Sequence, residues 1–157
     1  MFFKPNFTVS QNKNRNFVFQ RDGVLQNLGS TNIAFSPNFI AANQFVFLPV
    51  KNLQIALLSK YVGEQFMGNI DATASRLNAY FTNDINLSYE IKPKSVFKAI
   101  VLSGIVTNLF NVKYESNGYF YTYDDDYSVP GTTTTIEGSA FYPQAGIHFL
   151  VGMNLKF

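Results

Sequence analysis

The sequence predicts an all-β fold, an antiparallel meander of about six long strands, and three observations carry that reading. Apolar and polar residues alternate with a period of two through segments of about twelve residues. Connections alternate between tight turns containing proline and long loops. The last segment, GIHFLVGMNLKF, places Ile147, Phe149, Val151, Met153, Leu155 and Phe157 on one unbroken apolar face. Gly146, His148, Gly152, Asn154 and Lys156 occupy the other face, with Leu150 its one apolar residue. A helical period of 3.6 would mix these two sets, so the elements read as strands.

The elements follow in order. The opening residues supply a short strand with Phe3, Phe7 and Val9 on one side. From Phe35 to Phe47 the apolar face is Phe35, Phe39, Ala41, Phe45 and Phe47, broken at Asn43. Leu53, Ile55, Leu57 and Tyr61 form the next face, opposed by Gln54, Lys60 and Glu64. Residues Ala79 to Ile91 alternate most cleanly, with Phe81, Ile85, Leu87, Tyr89 and Ile91 against Thr82, Asp84, Asn86, Ser88 and Glu90. Ala99 to Phe110 is largely apolar on both faces, which leaves its facing open. Gly146 to Phe157 is the sixth strand.

The tight turns are PVKN (Pro49 to Asn52) and KPKS (Lys92 to Ser95); proline cannot sit in the middle of a hydrogen-bonded ladder. Gln11 to Asn32, Met67 to Asn78 and Asn111 to Ala145 are expected as long loops. Charge follows the same division. Lys51, Lys92, Lys94, Lys98 and Lys156 lie toward the tight-turn end, whereas Glu115, Asp124, Asp125, Asp126 and Glu137 fall in the longest loop.

Alternation by itself does not separate a membrane wall from a soluble sandwich, since both present one apolar face. Strand length does separate them. Sandwich strands run about five or six residues, whereas twelve residues at about 3.3 Å each, tilted about 40–45°, match the apolar band of an outer-membrane barrel. Length therefore favours a barrel wall with outer-membrane lipid as its partner. The alternatives are a non-transporting outer-membrane barrel or surface binding and adhesion module, and a soluble sugar-binding β-sandwich.

Composition narrows the chemistry. The 157 residues include 17 Phe and 9 Tyr but no Trp, and only 14% are charged. Absence of cysteine removes disulfides, thiol nucleophiles and thiolate metal sites. A net charge of +2 without an aromatic-interleaved basic cluster gives no expectation of a nucleic-acid partner. No apolar run is long enough for a membrane helix. Lys4, Pro5 and Asn6 stand where the apolar core of an export signal would be, so no signal peptide is expected in this chain.

No catalytic residue, metal site or cofactor is expected, and the chain does not read as an enzyme. His148, the one histidine, has no partner at ligand or triad spacing. Asp124, Asp125 and Asp126 lack the alternate-ligand spacing and glycine of a calcium loop, and read as a solvated acidic loop. Asp84 and Glu90 stand too far apart along one strand for a carboxylate pair. Gly131 to Thr135, GTTTT, is low-complexity loop. Tyr119, Tyr121 and Tyr123 share one side of an extended segment, as a candidate ligand-facing loop or as part of an aromatic girdle.

Two stretches carry a family resemblance: NLFNVKYESNGYFYTY (Asn108 to Tyr123) and FYPQAGIHFLVGMNLKF (Phe141 to Phe157). They resemble the C-terminal end of TonB-dependent outer-membrane receptors, particularly the Bacteroidetes type. FSPNFIAANQF (Phe35 to Phe45) and LLSKYVGEQFMGN (Leu57 to Asn69) resemble the preceding strands. The resemblance implies that residues 1–157 are the C-terminal portion of a 22-stranded transmembrane β-barrel in the cell outer membrane, with plug domain and TonB box absent. It further implies energised uptake of a scarce nutrient such as a siderophore or glycan, the small ligand itself being unknown. The TonB complex would then act only through the missing N-terminal part. Val151, Met153, Leu155 and Phe157 would be the assembly signal read by the barrel-assembly machinery.

Overall fold

A computed structural model describes residues 1–93 and 96–157. The strands, in chain order, are β1 (Phe2–Val9), β2 (Lys13–Asn14), β3 (Val18–Arg21), β4 (Val24–Asn27), β5 (Thr31–Asn32), β6 (Phe39–Phe47) and β7 (Leu53–Val62). There follow β8 (Gln65–Phe66), β9 (Arg76–Leu77), β10 (Tyr80–Ile91), β11 (Ala99–Thr107), β12 (Glu115–Asp125), β13 (Thr134–Pro143) and β14 (His148–Lys156). One short 3-10 turn, Thr73–Ser75, precedes β9.

Six long strands form one antiparallel sheet in the order β1-β6-β7-β10-β11-β14. Each of these six strands pairs with the next of the six along the chain, as in an antiparallel meander, while β12 and β13, equally long, pair only with each other between β11 and β14. The expected alternation of connections is present at the first tight turn, where Asn52 takes a left-handed backbone (φ 68) and Leu53 N–H donates to the Val50 carbonyl at 3.3 Å. Of the KPKS turn, Lys94 and Ser95 lie outside the described residues.

Several expected boundaries move. The second long strand begins at Phe39 rather than Phe35, because Phe35 sits in a left-handed conformation (φ 53) and donates its N–H to the Phe66 carbonyl at 2.8 Å. The strand expected to reach Phe110 stops at Thr107, because Asn108 is left-handed (φ 53) and turns the chain out of the sheet. Nor are the long loops structureless. Gln11 to Asn32 folds as an arm with β3 and β4 at its tip, and Asn111 to Ala145 contains the β12–β13 hairpin.

Among the described residues the sheet does not close: β1 pairs with β6 alone and β14 with β11 alone. Contacts between sheets concentrate among the loops, where β12 and β13 touch β9 and the 3-10 turn, and not across a shared core. Leu77 at 1% exposure and Ser75 at 0% are correspondingly in the second long loop, and Asn108 at 2% is at the root of the third.

Candidate functional site

Register across the six strands builds the first candidate surface. Phe3, Phe45, Leu57, Ile85, Val106 and Phe149 are direct cross-strand neighbours, an apolar row that crosses all six strands. The adjacent row is Phe47, Ile55, Leu87, Gly104 and Val151, and the next is Leu53, Tyr89, Leu102 and Met153. A one-residue slip anywhere would turn a whole strand over, so three matching rows mean that the alternation read along the chain also fits across it. This face is open: Leu87 is 42% exposed, Phe149 73% and Val151 80%.

Aromatic rings border the face at both ends. Toward the long loops stand Phe39, Tyr61 and Phe81, with Phe39 and Tyr61 centroids 5.8 Å apart. Toward the tight turns stand Tyr89 and the Phe97–Phe157 pair, at 5.1 Å. Phe81 and Tyr89 stand eight positions apart, about 26 Å along the strand. One polar row interrupts the face, made by Asn43, Ser59 and Asn83, in which the Ser59 hydroxyl donates to Asn83 Oδ1 at 2.7 Å. The interruption at Asn43 is thus a row shared by three strands.

The opposite face carries Lys4, Gln44, Lys60, Thr82, Asn86, Ser103 and Asn154 in the same registers. It also settles the strand whose facing was open: Ile100, Leu102, Gly104 and Val106 lie on the apolar side, and Val101, Ser103 and Ile105 on the polar side.

The two motif stretches meet in space. Asn108 is 2% exposed, and its amide nitrogen donates to the carbonyls of Val112 at 2.9 Å and Ala145 at 3.1 Å. Its Oδ1 accepts the Val112 N–H at 2.9 Å, and its own N–H donates to Asp84 Oδ1 at 2.8 Å. Asn111 Oδ1 accepts the Ile147 N–H at 3.0 Å, and Gln144 N–H donates to the Tyr114 carbonyl at 3.0 Å. Gly146 is required there, since a Cβ would collide with Asn111 Oδ1. Thus NLFN and PQAG clasp each other at the root of the third long loop. Tyr114 stacks on Tyr80 beside this clasp, centroids 4.3 Å apart, and burial followed by the Asp84 charge raises its phenol above the ordinary range.

Tyr119, Tyr121 and Tyr123 lie in β12, each about half exposed, on one face of the hairpin. Successive rings are near-parallel, at centroid separations of 6.2 and 6.4 Å, and Tyr142 of β13 lies 6.2 Å from Tyr119. Gly138 stands opposite Tyr121, and its missing Cβ leaves the space into which that ring lies. The opposite hairpin face packs on the second loop, with Phe120 over Gly68.

The remaining candidates find local structural roles. Asp124 accepts from Gln20 and Thr135, and Asp125 accepts the N–H groups of Tyr127 and Ser128, so this acidic run ties a hairpin together. The exposed His148 sits at the outer end of β14 with Nδ1 2.9 Å from the Gly146 carbonyl oxygen. Val151, Met153, Leu155 and Phe157 line the open face on the edge strand and its last residue. A depression of about 560 Å³ lies at the Pro49–Asn52 turn, far along the sheet from the tyrosines.

No protein-family model, curated protein or solved structure matches this chain.

Proposed function

We propose that the chain is the C-terminal wall of an outer-membrane β-barrel of the TonB-dependent receptor type, in which the open apolar face meets lipid and the polar face meets the lumen. The observation that carries this reading is the apolar row running from Phe3 to Phe149 through six consecutively paired strands with nothing packed over it. In water an apolar patch of that extent is far larger than a soluble monomer tolerates, whereas lipid covers it without cost. Burial supports the same orientation. Five of the buried residues in these strands, Val46, Ala56, Val62, Thr82 and Ala99, are on the polar side, against Ser59 and Asn83 on the apolar side, as expected where a curved sheet crowds the side chains of its concave face. The two open edges would be completed by further strands, because unpaired backbone groups are not tolerated in hydrocarbon.

Within that reading the tyrosine-bearing hairpin stands among the outer loops, where a nutrient ligand would first be met, and the work of energised opening belongs to parts beyond these residues. The test uses the absence of native cysteine. Single cysteines at Ile85, Asn86, Leu87 and Ser88, labelled with a polarity-sensitive dye in vesicles, should alternate between lipid-quenched at positions 85 and 87 and aqueous at 86 and 88. Aqueous spectra at all four would overturn the proposal.

A further inference from the structure

The three long loops hold one another in a closed ring of contacts. The first is tied to the second by Asn32, whose N–H and amide both reach Asp71 Oδ1 at 2.9 and 3.0 Å, and by Ala34 N–H on Asn69 Oδ1 at 2.7 Å. The second is tied to the third by Met67 and Gly68 against Gly118 and Phe120. The first reaches the third through its tip. There Asp22 N–H donates to Thr135 Oγ1 at 2.7 Å, Thr135 N–H donates back to Asp22 Oδ1 at 2.8 Å, and Gln20 donates to Asp124 Oδ2 at 2.8 Å. Arg21 pairs with Glu137 at 2.7 Å, and a Cβ on Gly23 would stand 3.4 Å from that of Thr133.

These ties differ in how readily water replaces them. At its base the arm from Lys13 to Asn32 is anchored by Thr31, 3% exposed, and by the short β2–β5 ladder. Along its length it is open, with Val18, Val24 and Leu25 all exposed. At its tip the arm is held by hydrogen bonds and one ion pair, and the Asp22–Thr135 pair is exposed. A strap held by buried contacts at one end and by exposed hydrogen bonds at the other opens at the exposed end first.

We infer that the arm Lys13 to Asn32 is a latch: its Asp22–Gly23 tip releases the β12–β13 hairpin while its base and the six-stranded sheet stay folded. The inference uses contacts among loops only, and stands whether or not the apolar face meets lipid.

Limited trypsin digestion of the full chain in detergent micelles tests it, since Arg15 and Arg21 lie in the arm and the exposed Lys60 lies in the sheet. Cleavage of a transiently opened segment follows the population of the open form. With both arm-to-hairpin hydrogen bonds of the Asp22–Thr135 pair removed, and the Thr135–Asp124 bond inside the hairpin with them, Asp22→Ala/Thr135→Val should be cut at Arg15 and Arg21 about tenfold faster or more, with Lys60 unchanged. Oxidised Gly23→Cys/Thr133→Cys, whose Cβ atoms would stand 3.4 Å apart at the cost of a left-handed cysteine at position 23, should be cut more slowly than the same variant after reductant is added. Wild-type rates at Arg15 and Arg21 in the first variant would overturn the latch. So would parallel acceleration at Lys60, because the tip would then be holding the whole fold.

Discussion

The amide of Asn108 grips the carbonyl of Ala145 at 3.1 Å across 37 residues of chain, and so closes the third long loop at its root. The same side chain also satisfies both backbone groups of Val112, while its own backbone is left-handed. Asparagine is one of the few residues that accept that conformation and carry both a donor and an acceptor on one short side chain. Asn108→Ala should therefore lower stability by about 2–4 kcal/mol, from orphaned buried polar groups and backbone strain together. Asn108→Gly should recover the backbone part alone. Denaturant midpoints of the two variants against wild type measure both.

Gly118 supplies a second sharp case. A Cβ there would meet the carbonyl oxygen of Ala140 and the Met67 sulfur, and the former is backbone that cannot swing aside. Gly118→Ala should cost about 1–3 kcal/mol and loosen the contact between hairpin and second loop. Gly138→Ala should be milder, because the group in its way is the movable ring of Tyr121. Amide exchange in β12 and β13 reads the difference.

At the hairpin tip, hydrogen bonds from Ser128, side chain first and backbone second, and then from Tyr127 hold the Asp125 carboxyl below its ordinary value. A carboxylate whose folded pKa is lowered stabilises the fold above its unfolded pKa, and the contribution is lost as pH falls through the folded value. The turn should stay closed at neutral pH and open locally under acid conditions below the usual aspartate range. Amide shifts of Tyr127 and Ser128 should follow that titration, and Asp125→Asn should remove the pH dependence.

The chain end gives a prediction about assembly. Phe157 packs on Phe97 and continues the open face of β14, the strand whose outer edge is unpaired. On the proposed barrel reading, deleting Phe157 should reduce the fraction of protein in cells that becomes heat-modifiable and protease-resistant, while His148→Ala should leave that fraction unchanged. Equal fractions in the deletion and the wild type would remove the assembly role from Phe157.

What was legible in the sequence was whatever alternates locally. Phe81 to Ile91 and Ile147 to Leu155 declare their faces because neighbours at i and i+2 share a side, and the tight turn at Pro49 announces itself through proline. The arm was missed although it carried a signal: Asp22-Gly23 between VFQR and VLQN is the dipeptide of a two-residue hairpin with both central residues left-handed. The β12–β13 pairing lay under an apparent loop because its contact face mixes Phe120 with Thr122, Asp124 and Glu137, so the alternation is blurred. Ties such as Asp22 to Thr135 span 113 residues and leave no periodic trace. The asparagines at 108 and 111 were seen as part of a resemblance, but their clasp on Ala145 and Ile147 needs coordinates.

The central claim, that the open face meets lipid, turns on two adjacent residues of β10. Leu87 and Asn86 are both exposed on the bare sheet, so in water an arginine would be tolerated at either. In the inserted barrel, Leu87→Arg should cost about 2–4 kcal/mol and Asn86→Arg far less. Unfolding free energies of the two variants from vesicles are the deciding measurement: a large cost at Leu87 alone is the result the lipid-facing assignment predicts, and equal small costs at both positions would contradict it.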